Sequence, residues 1–337
     1  MYFFSSLFSF LLLFFILKNF SYKLKLIDKP NYRKKHKGDI PLIGGLIIYL
    51  NIFLFSFFFE VSEPMNNILY TSILLILLGA LDDAIELGVI FRLLTQFICC
   101  LILVGSGLVI KDIGNYMFFS NLEIGYLSIL FTVFCIIGLT NAFNFIDGVD
   151  GLCSGIALIS IISILVITLL NNSYMFLIDF EFLILVSITL IFFIFFNVTT
   201  FSKVFLGDAG SIFLGFFIAC VLILTSQNEY QIIHPILTIW CVTLPVFDIT
   251  SVVIRRSLRK INPFKPDRRH VHHILIELGF SNLSTTILIL IISIILNFFG
   301  ILIFYISGPF PALVSFIILL FLYVILMINL SRIANTK

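Results

Sequence analysis

Long apolar runs alternate with short polar interruptions along the whole chain. The pattern divides it into eleven candidate helices at 2–17, 40–59, 67–81, 93–110, 126–140, 152–170, 182–197, 211–227, 235–252, 285–306 and 310–330. A helix needs about 20 apolar residues to cross a bilayer core, so segments of this kind use most of the length. The expected fold is an all-α integral membrane protein with about eleven transmembrane helices. It forms one domain over 1–337, since no repeat, charge-rich hinge or coiled-coil heptad divides it. The first segment resembles a signal-peptide core but lacks a basic leader and a small-residue cleavage site. It therefore reads as a retained helix.

Composition agrees with that pattern. Of 337 residues, 61% are hydrophobic and 11% charged, against about 25% charged in ordinary soluble domains. Mean hydropathy is +1.18. A soluble enzyme, a nucleic-acid binder and a disordered chain are excluded at this point. The six cysteines, Cys99, Cys100, Cys135, Cys153, Cys220 and Cys241, lie in or beside apolar runs without metal or disulfide spacing, and read as small buried hydrophobes.

The placement of charge orients the chain. Alternating the spans puts Lys18 to Lys37, Arg92, Lys203, Arg255 to Arg269, Arg332 and Lys337 on one side, and Lys111 alone on the other. The opposite loops carry Glu60, Glu63, Asp112, Glu123, Asp179, Glu181 and Glu229. The positive-inside rule then predicts an outer N-terminus and a cytoplasmic C-terminus.

The remaining polar residues gather in five segments, all placed at the cytoplasmic face by that alternation. In LGALDDAIELGVIFRLLTQ, Asp82 and Asp83 end an apolar helix. They mark either a membrane boundary or a carboxylate pair that holds Mg²⁺ or takes a proton. In NAFNFIDGVDGLCSG, Asn141, Asn144, Asp147 and Asp150 are spaced by three, which on a helix would line one face. Gly148 and Gly151 suggest instead a break where the backbone approaches a ligand. In KVFLGDAGSIFLGF, Asp208 lies between two glycines before a long apolar helix, with Ser211 as the expected N-cap. Such a start would point free N–H groups at phosphate oxygens, with a carboxylate beside them for a metal.

The fifth segment, PVFDITSVVIRRSLRKINPFKPDRRHVHHIL, carries His270, His272 and His273 directly after Arg268 and Arg269. A zinc site lacks a nearby cysteine or HExxH spacing, so an anion cradle for a diphosphate is the better reading. The first segment, DKPNYRKKHKGDIPLIGG, is accounted for mostly by positive-inside bias, with anionic headgroup binding as the alternative. Carboxylates and asparagine suit a hard cation that bridges protein to phosphates, and basic groups beside them suit a phosphorylated substrate. Phosphoryl transfer to or from a lipid is the natural class. A secondary transporter is the alternative from another class; it would place acids near mid-helix and show inverted halves.

Together, LDD, NAFNFIDGVDGL, FLGDAGS and PFKPDRRHVHH resemble the polyprenyl-phosphate N-acetylhexosamine-1-phosphate transferase superfamily (glycosyltransferase family 4), in order and nearly end to end. DKPNYRKKHKGDIPLIGG and HVHH look most like its WecA-type subgroup, which joins N-acetylglucosamine 1-phosphate to undecaprenyl phosphate. The histidine run departs from the three consecutive histidines usual in the MraY enzymes of peptidoglycan synthesis. The resemblance implies a bacterial cytoplasmic-membrane enzyme that uses a UDP-N-acetylhexosamine and undecaprenyl phosphate, with Mg²⁺ or alternatively Mn²⁺, to start a cell-surface polysaccharide. It leaves the sugar and a homodimer open.

By the same resemblance Asp208 would ligand Mg²⁺, with Asn144. Phe205 would stack on uracil and Asp150 would meet its edge, beside Gly148. Asp82 would deprotonate or orient the lipid phosphate, supported by Asp83 and Asp147. Arg92 would hold a phosphate, and Arg269, His270, His272 and His273 the sugar-phosphate side. Where several relatives carry a lysine, this chain has Ile90, leaving Arg92 as the only basic residue of its loop.

Overall fold

The structure, a computed structural model, describes residues 2–30, 38–117, 121–172, 179–200, 202–227, 232–258, 260 and 270–334. Among them the chain forms α1 (Tyr2–Phe20), α2 (Gly44–Ser56), α3 (Glu63–Ile85), α4 (Val89–Gly105), α5 (Ser128–Ile146), α6 (Leu152–Leu170) and α7 (Phe180–Val198). After these come α8 (Gly207–Gln227), α9 (Pro235–Cys241), α10 (Thr243–Leu258), α11 (Val271–Glu277), α12 (Asn282–Ser307) and α13 (Pro309–Ala334). Two short strands, β1 (Ile27–Asp28) and β2 (Ile40–Pro41), pair antiparallel before α2.

Seven helical segments are long and apolar enough to cross a membrane, or eight when α9 and α10 count as one bent span. Shorter apolar helices cover Phe4–Phe20, Gly44–Ser56 and Val89–Gly105. Every predicted span thus falls on helix, but length and hydropathy support seven or eight crossings by themselves. The second span is shortened because Ile40 and Pro41 pair as a strand. Phe4, Phe8, Phe134, Phe298 and Ile306 stand exposed on the outside of the bundle. Lipid would cover such a surface at no hydrophobic cost, and the chain is a multi-pass helical membrane protein.

Helix α8 is the axis of the bundle. It is buried along almost its whole length and packs most extensively on α3 and α5. That approach depends on small residues: a Cβ on Gly79 of α3 would run into the backbone of Ala209, and one on Gly45 of α2 into Gly210. Away from that axis, Asn51 of α2 donates to Ser6 Oγ at 3.1 Å and to Thr189 Oγ1 at 2.9 Å, tying α1 and α7 to α2.

The ninth predicted span is two helices meeting at 80°. Pro245 has no N–H to give the carbonyl four residues back, which is Cys241. Asn297 of α12 fills the gap, donating from Nδ2 to the Cys241 carbonyl at 3.1 Å and also to Ser163 Oγ at 3.1 Å.

Candidate active site

The polar segments meet at one end of the bundle. The end of α3, the start of α4, the end of α5 and the start of α8 contribute first. Adjacent residues on a helix point about 100° apart, so the two aspartates of α3 take different partners. Asp82 Oδ2 pairs with Arg92 Nη1 of α4 at 2.8 Å, and its Oδ1 accepts the Leu87 N–H at 2.6 Å. Asp83 reaches the start of α8, where its oxygens accept the N–H groups of Asp208 at 2.9 Å and Ala209 at 3.3 Å.

This corrects two expectations. The first N–H groups of α8 are not free for a phosphate, because a carboxylate from α3 caps them. Ser211 is not the N-cap; it lies inside the first turn and donates to the Gly207 carbonyl at 3.2 Å.

Asp208 faces the other way. Its Oδ1 accepts Asn144 Nδ2 at 2.7 Å, and its carboxyl is close enough to Asp82 to feel that residue's charge. Asn144 also donates to Ser211 Oγ at 2.9 Å. In this arrangement the Asn144 amide nitrogen orients Asp208, and only its carbonyl oxygen is available to a cation. Asp147 lies just past the end of α5. Burial pushes its carboxyl well above the usual carboxylate range, and the nearby Asp208, Asp83 and Asp150 push the same way. Four aspartates, at 82, 83, 147 and 208, thus crowd a region with one bonded guanidinium. The donors are oxygen and the charge excess is negative, which fits Mg²⁺. Among the described residues no three acidic, histidine or cysteine side chains form a closed cation cage. Mg²⁺ ordinarily takes one or two protein carboxylates and fills its shell with phosphates and water.

The Asn141–Asp150 series does not share one helix face. Asn141 and Asn144 lie on α5, while Asp147 and Asp150 follow in the turn before α6. Asn141 donates to Gln96 of α4 at 2.8 Å. Asp150 Oδ2 holds Lys203 Nζ at 2.5 Å, and that ammonium lies 5.4 Å from the centre of the Phe205 ring. Thr286 of α12 donates to the Asp150 carbonyl at 2.9 Å, and Asn197 of α7 accepts the Gly151 N–H. The turn between α5 and α6 is therefore pinned by three elements. Lys203, read from sequence as an orienting charge, bridges Asp150 and Phe205.

The histidines close the turn from the other side. His272 packs so tightly on Gly148 that no Cβ would fit there. It is fully buried, and neither ring nitrogen has a hydrogen-bond partner among the described residues. Burial holds its imidazole well below the usual range, with His273 and His270 adding to the shift. His273 lies 4.0 Å from His272, centroid to centroid. His270 stacks 5.3 Å from Phe145 and bonds to Asp248 of α10 at 2.7 Å. Arg269 lies outside the described residues. Ile90 is exposed in the first turn of α4, and Arg92 is committed to Asp82.

The first segment, the least informative in sequence, is built into the site. Phe205 N–H donates to the Pro41 carbonyl, while Gly44 and Gly45 N–H donate to the Phe205 and Leu206 carbonyls, each at 2.9 Å. The strand after β1 therefore holds the loop that leads to Asp208. The adjacent glycines of PLIGG were the available signal, since they mark a close backbone approach.

Comparison with known proteins agrees with this geometry. The profile of Glycosyl transferase family 4 matches residues 65–226, from α3 through α8. Undecaprenyl-phosphate alpha-N-acetylglucosaminyl 1-phosphate transferase of Yersinia pestis is 31% identical over 293 residues, 85% of this chain and 79% of its own length. The protein of the same name from Escherichia coli (strain K12) is 32% identical over 324 residues, 94% of this chain and 87% of its own. That from Haemophilus influenzae is 31% identical over 305 residues, 89% and 85% respectively. Similarity at this level over nearly the whole length, with the aspartates of α3 and α8 brought together, shows that the chain belongs to glycosyl transferase family 4.

Proposed function

We propose that the protein transfers N-acetylglucosamine 1-phosphate from UDP-N-acetylglucosamine to undecaprenyl phosphate, releasing UMP and forming the lipid diphosphate sugar that starts a cell-surface polysaccharide. In this reading the chain crosses the bacterial cytoplasmic membrane eleven times, the N-terminus outside and the C-terminus in the cytoplasm. The site faces the cytoplasm, where the nucleotide sugar is found and the lipid phosphate arrives along the bilayer surface.

The observation that carries the reading is the meeting of Asp82, Asp208, Asn144 and Arg92 in one oxygen-rich centre at the ends of four helices. An oxygen of the lipid phosphate attacks the sugar-bearing phosphorus. The bond from that phosphorus to the bridging oxygen breaks, and UMP leaves with that oxygen. Asp208, with the Asn144 carbonyl oxygen, would hold Mg²⁺, which would supply charge neutralisation on the diphosphate. Asp82 orients the lipid phosphate, or takes its remaining proton, and Arg92 shares its guanidinium with a phosphate oxygen. Asp83 acts one step back, holding the α8 start that carries Asp208. Phe205 and Asp150 receive the uracil, and the histidines receive the sugar-phosphate side. The acids sit at helix ends, whereas a transporter pathway would set them near mid-helix.

The test is Asp208→Asn in membranes supplied with both substrates. UMP release should fall by about 10²-fold or more, the usual cost of removing a charge-stabilising group from such a centre. Full activity would contradict the assignment.

A further inference from the structure

Asp248 lies on α10, the bent half-span, and nothing in the motif pattern gives it a task. It is 1% exposed, a carboxylate in the protein interior. Its Oδ2 stands 2.7 Å from Nδ1 of His270, and its Oδ1 accepts the Val271 N–H at 3.0 Å. Tyr323 of α13 directs its hydroxyl at Oδ1 from 3.5 Å. One buried side chain thus holds the first histidine of the run by its ring and by the next backbone amide. The Phe145 ring, tilted 31° over His270, fixes the plane of the imidazole.

We infer that Asp248 is the positioning residue that sets the tautomer and ring orientation of His270 for phosphate binding. A carboxylate offers no proton, so the atom facing it, Nδ1, carries one. That leaves Nε2 as the nitrogen for a ligand. A phosphate oxygen needs a donor there, so a phosphate that binds brings a second proton onto Nε2 in the complex. Asp248 balances that charge while burying no unpaired one. The arrangement matches the general rule that a working histidine is oriented by the partner of its other nitrogen. The phosphate in question is the sugar-phosphate of the donor, so this inference rests on the function proposed above.

Asp248→Asn is the direct test, because it keeps size and the acceptor for Val271 but turns an amide donor toward Nδ1. The ring is then driven to the opposite tautomer and loses its counter-charge. UMP-releasing kcat/KM should fall about 10–100-fold, the usual cost of losing such an orienting partner. In a His270→Gln background the same change should cost less than about twofold, since the effect passes through His270. Equal losses in both backgrounds would make Asp248 a structural residue only and overturn the inference.

A second measurement needs no turnover and leaves Asp248 in place. In ¹⁵N-histidine-labelled wild-type protein, with His270 assigned by its absence in His270→Gln, Nδ1 should show a protonated shift at neutral pH. A bare Nδ1 would overturn the inference. Wild-type protein that releases no UMP from any donor would instead refute the proposed function, and the nitrogen shifts would still decide the pairing.

Discussion

Asp83 and Asp208 are both half-buried aspartates of the same centre, yet the structure predicts that their loss is felt differently. Asp83 accepts two backbone N–H groups at the start of α8, at 2.9 and 3.3 Å. Asp83→Asn keeps one acceptor oxygen and turns an NH₂ group toward the second N–H. One buried donor loses its partner, at a cost of about 1–3 kcal/mol. Removing the negative charge from the positive end of a helix adds about 0.3–1 kcal/mol. Relief of repulsion among the clustered acids offsets part of this, so the expected net loss is about 1–3 kcal/mol. Because α8 is the axis of the bundle, the loss should appear as global destabilisation. The described cysteines are buried or half-buried, so a thiol-reactive dye in detergent reports unfolding directly. Asp83→Asn should lower the midpoint of that transition by several degrees and lose activity with it. Asp208→Asn should lose activity with a midpoint close to wild type. An Asp83→Asn protein with unchanged midpoint and no activity would refute the capping role and place Asp83 in the chemistry.

Other expectations are briefer. Lys203→Met frees Asp150 and Phe205 of their shared ammonium. Since that ion pair is partly exposed, donor KM should rise about two- to fivefold with kcat nearly unchanged, and a kcat loss alone would contradict the bridge. Asn297→Leu leaves the Cys241 carbonyl unpaired at the bend, which should cost about 1–3 kcal/mol; an unchanged unfolding midpoint would show that the bend needs no such partner. His272 resists protonation when folded, so the unfolded chain binds that proton first as pH falls through about 6.5, and stability drops with acid. His272→Gln should therefore show a shallower acid-side loss in the same dye assay, and identical slopes would contradict a neutral buried ring.

Much of the architecture was legible because bilayer-length apolar runs are a one-dimensional signal. The site was legible as a set of motifs, since Asp82, Asn144, Asp208 and His270 stand out as polar residues beside such runs. Their division of labour was not. Asp83 meets its partner N–H groups across about 125 residues of sequence, and the Asp82–Asp83 pair gave no sign that its members face different helices. The bend between α9 and α10 hid inside a continuous apolar run, because its cause, Pro245, and its remedy, Asn297, lie on different helices. Lys203 was absorbed into the positive-inside count, a rule that explains where a lysine sits but not what it touches. Asp248 lies 22 residues from His270, so spacing alone gave no hint of the pair. The Gly44–Gly45 step showed only that some backbone comes close, not that it is the loop leading to Asp208.

The most direct test of the account uses purified protein in detergent with undecaprenyl phosphate, following UMP release across a panel of UDP-N-acetyl sugars with and without EDTA. The account predicts release with UDP-N-acetylglucosamine that EDTA abolishes and Mg²⁺ restores. Release with another sugar alone would keep the chemistry and change the donor. Folded protein that releases UMP from no donor would contradict the central claim.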